Sequence, residues 1–398
     1  MGADAPRDPA SDRAPGRATR PVGFAANAPD PARSRSARRR GRPEVAIVVD
    51  PRFPGGTAGA VAAEIAALAP HATIEVHALR TRMFRERPVN PRLAATLEAL
   101  GLTLVEDAPV IRAETIVLHN PSSLKRDRGL APRLSAARAF VVCHENFLRP
   151  GGAEGFDVGH CLGQIEAGLA CGTPILAPIS PWNREGVLGW QTRETEAPGA
   201  DWPVAPLDWF NVIDLAATAP SEAPRDRRGR HSRPGFEKFP PFERLRAQFP
   251  AHAESCAILG ADNLMGGAGT PEHWRLMRFG AMEPARFLSE IDFFVYFTNP
   301  LWQESFGRVI AEAIAAGKVV ITDPGTAAAF GPAVIADPEE GRGENLDRII
   351  AEFVADPARY RSFARAAQTS LARFRPEVFA RQFLSLIDMP ATAPHAAL

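Results

Sequence analysis

The sequence predicts an α/β chain of two domains, each a parallel sheet covered by helices. Three observations lead there. The 398 residues exceed one ordinary core, at roughly 150 residues per domain. Short apolar, β-rich runs alternate with helix-length segments, which is the pattern of βαβ units. That rhythm breaks in a stretch rich in Pro, Gly and Trp from Trp182 to Pro206, and then resumes.

Taken in order, residues 1–42 stand apart. They hold ten Arg against four Asp, six Pro and almost no large apolar residue. Such a segment cannot bury enough apolar surface to fold, so a disordered arm of net charge +6 is expected. Weak association with an anionic lipid or polymer surface is its functional reading; an unstructured extension is the plainer one. No apolar signal core follows it, because Val45 to Asp50 is short and ends in charge. Strands are expected at Glu44–Val49, Thr73–Leu79, Thr115–His119, Phe140–His144 and Pro174–Ile179, and helices at Ala58–Ala69, Pro91–Leu100, Leu130–Ala137 and Val158–Ala170. The stretch 182–206 reads as a hinge, and Arg225–Pro241 as a polar, basic loop. Beyond it, strands are expected at Ser255–Leu259, Phe293–Phe297 and Val319–Thr322. Helices are expected at Phe242–Gln248, Pro284–Glu290, Ser305–Ala316, Leu346–Val354, Pro357–Phe374 and Glu377–Ile387. The domains so drawn are 43–205 and 206–376, followed by a last helix and tail, 377–398.

Composition narrows the function. Acidic and basic residues balance at 46 each, which weighs against a nucleic-acid binder. The 38 prolines are about twice the usual share and exclude a long coiled coil or helical solenoid. No apolar run approaches the ~18 residues of a membrane span. Cys143, Cys161, Cys171 and Cys256 form no C-x-x-C pair, so a reducing, cytoplasmic setting fits. Only Lys125, Lys238 and Lys318 stand against 43 arginines, the usage of a high-GC bacterial genome. There is no H-E-x-x-H, G-x-S-x-G, P-loop or dinucleotide fingerprint. There is no D-x-D either; Glu290-Ile-Asp292 comes nearest and reads as a solvated corner.

The richest constellation begins at the apolar run Phe293–Phe297, the signature of a buried parallel strand. A loop leads to Glu304-Ser-Phe-Gly-Arg308, then to a helix carrying Glu312 and closing at Gly317. Ser305 is the expected N-cap and Gly317 the C-terminal stop. The amides of Phe306, Gly307 and Arg308 would then open a helix at the carboxyl end of a strand. Open α/β sheets bind ligands there, and helix N-termini attract phosphate. A carboxylate two turns inside suits a ribose diol, and one at the mouth suits sugar hydroxyls. Each glutamate taken alone also reads as an ordinary solvated charge.

Glu304 and Glu312, with Phe306-Gly307 between them and Ala315-Ala-Gly317 before a strand, resemble the E-x7-E element of retaining GT-B glycosyltransferases of the glycosyltransferase 4 type (group 1 glycosyltransferases). The likeness is specific from Asp292 to Thr322 and looser from Glu44 to Ile387. It implies two Rossmann-like domains facing a cleft, with the C-terminal helix crossing back to the first. It also implies a glycine-rich loop after the first strand, met by Gly55-Gly56-Thr57. A histidine at a strand end would contact the donor sugar, and His144 fits best, with His119 second. An Arg and a Lys early in the second domain would neutralise the donor diphosphate. Arg233 and Lys238 offer the family's spacing, with Arg230 as a rival. The family usually shows an apolar strand before these cations. Here Ala223 to Arg230 carries no strand signal, so Asn211–Ala217 is the alternative strand.

The resemblance implies metal-independent transfer of a sugar from a nucleotide diphosphate sugar to a glycan, lipid-linked or small-molecule acceptor hydroxyl. Attack would come from the front face, the leaving diphosphate taking the acceptor proton. No cofactor and no nucleic-acid partner is expected. The alternatives are another GT-B enzyme, such as a nucleotide-sugar epimerase, and a catalytically idle nucleotide- or glycan-binding module.

Overall fold

The structure, a computed structural model, describes residues 42–389 except 54, 55, 131, 171, 268 and 343. The arm expected at 1–42 lies outside the described residues but for Arg42, as do Gly55, Cys171 and the tail from 390. Among the described residues there are two six-stranded sheets, each parallel throughout. The first comprises β1 (Glu44–Val49), β2 (Thr73–Ala78), β3 (Leu104–Val105), β4 (Val110–His119), β5 (Arg133–Cys143) and β6 (Ile175–Pro178), in the order β3-β2-β1-β4-β5-β6. The second comprises β7 (Arg227–His231), β8 (Ser255–Leu259), β9 (Trp274–Met277), β10 (Phe293–Tyr296), β11 (Val319–Thr322) and β12 (Ile335–Ala336), in the order β12-β11-β10-β7-β8-β9. Each half therefore repeats the same doubly wound order, and the chain has the expected GT-B architecture.

Buried parallel strands need apolar residues on both faces, and β1 and β10 supply them: every residue from Val45 to Val49 and from Phe293 to Tyr296 is buried. Helices follow where cap residues allow. Helix α1 (Gly56–Leu68) follows β1. Asn90 accepts from the amides of Arg92 and Leu93 to open α2 (Pro91–Leu100), and Gly101, at φ 64°, closes it. Asp157 opens α3 (Val158–Gly168). Leu93 and Leu97 turn the apolar face of α2 inward.

Three expectations need correction. The segment read as a helix at Leu130–Ala137 enters β5: Leu134 and Ala136 are buried in alternation, and pairing with β4 from Val110 onward overrides helix propensity. The stretch read as a hinge contains helix α4 (Pro181–Arg193), capped by Ser180, and Leu176 bridges Val204. Trp190 is fully buried in the core of the first sheet. The strand before the cations is β7 itself, not Asn211–Ala217. Two of its three arginines are neutralised in place. Arg227 Nε donates to Asp292 at 2.7 Å, and Arg228, 1% exposed, pairs with Asp226 and Asp347, both at 2.7 Å. Asp292 is thus a buried anchor rather than a solvated corner.

In the second half, helices α5 (Phe242–Gln248), α6 (Pro284–Ser289), α7 (Arg308–Ala315), α8 (Pro324–Ala327), α9 (Asn345–Ala355) and α10 (Pro357–Ser370) follow. The last, α11 (Pro376–Asp388), crosses back as expected and packs against α1. Phe379 and Phe383 meet the Trp209 ring edge-on at 5.6 and 5.7 Å, and Gln382 donates to the Asp208 carbonyl. Arg138 holds the carbonyls of Ile387 and Met389. No helix among the described residues is long and apolar enough to cross a membrane.

Candidate active site

In a doubly wound sheet, ligands sit beyond the strand carboxyl ends where the strand order reverses. Here those points are the ends of β1 and β4 in the first sheet and of β7 and β10 in the second. A cavity of about 430 Å³ is lined from both. The first half contributes Phe53, Gly56, Thr57, Asn120 and His144, and the second contributes Ser232, Arg233, Lys238, Tyr296, Glu304 and Glu312. A larger groove, about 650 Å³, runs along α1 and α2. Its walls are largely alanine, and it shares only Arg308 with the cleft.

The loop from β10 to α7 forms one wall. Glu304 is held between the Tyr296 hydroxyl, which donates at 2.6 Å, and the Lys238 ammonium at 2.5 Å. Burial alone would raise its carboxyl; the Lys238 charge and the two hydrogen bonds outweigh that and hold it below the ordinary value. Bonds from the first half bracket this residue. Asn146 donates to the Gln303 carbonyl at 2.9 Å, and Ser180 donates to the Ser305 carbonyl.

The helix begins later than the sequence suggests. Its N-cap is Gly307, not Ser305, with φ 86° and no side-chain cap. A Cβ there would lie in the left-handed region, 3.1 Å from Ile310, so glycine is the residue that fits. Phe306, Gly307 and Arg308 all line the cavity, but the Phe306 ring turns away to pack on Phe330 and Phe374. Only its backbone remains for a ligand. Glu312 lies one turn in, 3.2 Å from Arg308 Nε and 3.7 Å from His231 Nε2. Burial raises its carboxyl, against the opposing charge of Arg308.

The cations separate. Lys238 and Arg233 line the cavity, Arg233 half-exposed and paired with Glu237 at 2.8 Å. Arg230 does not. It is fully buried, donates to the Phe297 and Lys238 carbonyls, and lies over the Phe239 and Tyr296 rings. The structure therefore does not bring Arg230 to the cavity with Arg233 and Lys238: its guanidinium is held between two carbonyls and two rings.

On the opposite wall, Gly56 and Thr57 open α1 at the cavity. His144 lines it too, while His119 sits behind, its Nδ1 3.0 Å from His144 Nε2. His119 thus reaches no ligand directly. Burial, and then the neighbouring His119, push the His144 imidazole well below its ordinary value.

Several lining residues carried no signal in the sequence. Arg149 stacks on Trp302 at 3.4 Å, and Tyr296 reads there only as strand interior. Asn120 did leave a trace: it follows a strand-end histidine, precedes a proline, and adopts φ 59°. Among the described residues, buried Ser232 Oγ and Arg308 Nη1 at this cavity have no hydrogen-bond partner, as expected of groups that a ligand satisfies.

No family model matches the chain, and no curated protein matches it in sequence. Solved structures do. HepE of Anabaena, in complex with UDP and glucose, is 16% identical at a TM-score of 0.57, covering 86% of this chain and 98% of that one. Trehalose-6-phosphate synthase OtsA is 11% identical at 0.54, covering 87% and 100%. At these identities the likeness is one of fold: two doubly wound domains facing a cleft, the GT-B architecture.

Proposed function

We propose that the protein is a retaining glycosyltransferase that moves a sugar from a nucleotide diphosphate sugar to an acceptor hydroxyl. One observation carries this. A single cavity between the two switch points gathers Glu304, Lys238, Arg233, Gly307 and Glu312 on one wall and Gly56, Thr57 and His144 on the other. UDP and UDP-glucose in the HepE structures, and UDP-2-fluoro glucose in an E. coli structure of the same fold, support a nucleotide-sugar donor.

In this reading Glu312 accepts the ribose hydroxyls. The amides around Gly307, with Gly56 and Thr57 opposite, receive the diphosphate. Arg233 and Lys238 neutralise its growing charge as the glycosidic bond breaks, the task a metal performs in other transferases. Glu304, already fixed by Tyr296, orients sugar hydroxyls. The diphosphate takes the acceptor proton, so no protein nucleophile is needed. Closure of the cleft excludes water that would hydrolyse the donor. The bracketing of Glu304 from the first half couples that closure to the sugar site. The domain limits 43–205 and 206–376 and a cytoplasmic setting belong to this proposal, as does activity without metal.

The test is thermal-shift binding of UDP, GDP, ADP and dTDP, in chelator, to wild type and Glu312→Ala. Stabilisation by one nucleotide, lost in the variant, supports the reading and names the donor class. No shift with any of the four overturns it in favour of an idle module.

A further inference from the structure

Behind the cavity runs a chain of buried polar groups to which the donor contacts above assign no task. The Trp209 indole N–H donates to Glu64 Oε2 at 2.8 Å. Glu64 Oε1 lies 3.3 Å from His119 Nε2. His119 Nδ1 lies 3.0 Å from His144 Nε2, and the His144 ring lines the cavity. Glu64 is 4% exposed and His119 1%, so both are shielded from bulk solvent. Among the described residues, Glu64 Oε1 and His119 Nε2 have no hydrogen-bond partner; they face each other at 3.3 Å as a close electrostatic contact.

Proton placement along this chain is determined from its acidic end. A bare Nε2 would set its lone pair against the Glu64 carboxylate at 3.3 Å, so the contact favours the proton of His119 on Nε2. His119 Nδ1 is then a bare acceptor, and His144 must donate to it from Nε2. The one ring nitrogen of His144 left for the cavity, Nδ1, is bare in turn. We infer that Glu64 and His119 are positioning residues that fix His144 in the tautomer with bare Nδ1, giving the cavity a hydrogen-bond acceptor. Such an atom suits a sugar hydroxyl, which donates, and repels a phosphate oxygen, which does not. Four elements build the chain: the segment after β6 (Trp209), α1 (Glu64), β4 (His119) and the turn after β5 (His144). That His144 meets the transferred sugar rests on the transferase reading; the tautomer does not.

The experiment uses the full chain labelled with ¹⁵N-histidine, His144→Asn serving to assign the resonances. In wild type, both His119 and His144 should show a protonated Nε2 and a bare Nδ1. In Glu64→Gln the Trp209 N–H claims the amide oxygen, turning the NH₂ group toward His119. Both rings should then exchange tautomers. In Glu64→Gln/Trp209→Phe the amide is free to turn over, and both should revert. A protonated Nδ1 on wild-type His144, or unchanged rings in Glu64→Gln, overturns the assignment.

With UDP-glucose as donor probe, Glu64→Gln should lower kcat/KM about tenfold, the worth of one lost hydrogen bond, while UDP affinity stays unchanged. The double variant should recover. Exchanged tautomers with undiminished turnover overturn the sugar contact. Correct tautomers in a chain that binds none of UDP, GDP, ADP and dTDP overturn the transferase reading and leave the tautomer standing.

Discussion

Glu304 and Glu312 belong to one short loop and helix yet meet opposite electrostatics. Glu304 is compensated by Lys238 and kept ionised; Glu312 is buried faster than Arg308 compensates it. The two should fail differently. Glu312→Ala removes a charged acceptor and should weaken nucleotide binding by roughly 1.5–3 kcal/mol, read by calorimetry. Glu304→Ala should lower turnover more than nucleotide affinity. Equal, small effects from both would refute the division of labour. His231 gives a pH signature. Burial and the adjacent Arg230 lower its value from 6.5 to about 4. The unfolded chain therefore binds a proton that the folded chain refuses between those values, and stability should fall as pH drops through that window. Denaturant titrations should show a shallower fall in His231→Phe. At this scale the sequence singled out the glutamate pair and Lys238 by spacing and His144 by the family resemblance, and the structure brings all four to one cavity. The sequence could not tell Arg230 from Arg233. Which guanidinium faces the cleft depends on strand register, and register depends on partners far along the chain.

Strand β7 shows what local pattern misses. Arg-Arg-Gly-Arg-His reads as a solvated loop, yet it lies between β8 and β10 in the middle of a sheet. Asp226, Asp292 and Asp347 make this possible, and two of them come from elsewhere in the sequence. Asp292→Ala should leave Arg227 and the amide of Arg225 without their acceptor and cost about 3–5 kcal/mol, measured by urea unfolding. Gly229 is part of the same solution, since a Cβ there would stand 2.6 Å from Ile291. By contrast β1, β10 and β11 were legible from their unbroken apolar runs. Helix α7 was legible in its body but not its start: the unpaired φ of Gly307, not the hydroxyl of Ser305, sets the first turn.

At the scale of the whole molecule, the two sheets repeat one strand order; the alternation of runs along the sequence implied two parallel α/β sheets but not that order. The place where the halves join was not legible. Trp190 and Trp202, in the stretch that suggested a hinge, fill the first core, and the chain runs on through buried Trp209, Phe210, Val212 and Ile213. These residues meet α11 as it returns. A chain ending at Arg375 should therefore expose Trp209 and the outer side of α1, and expand or aggregate, read by light scattering and tryptophan emission. The same crossing has a consequence for biosynthesis. The first half of the sequence leaves the ribosome without the segment that covers it. Its outer layer stays open until α11 has been translated, so the nascent N-terminal half must wait, exposed, for the whole second sheet and α11 to follow.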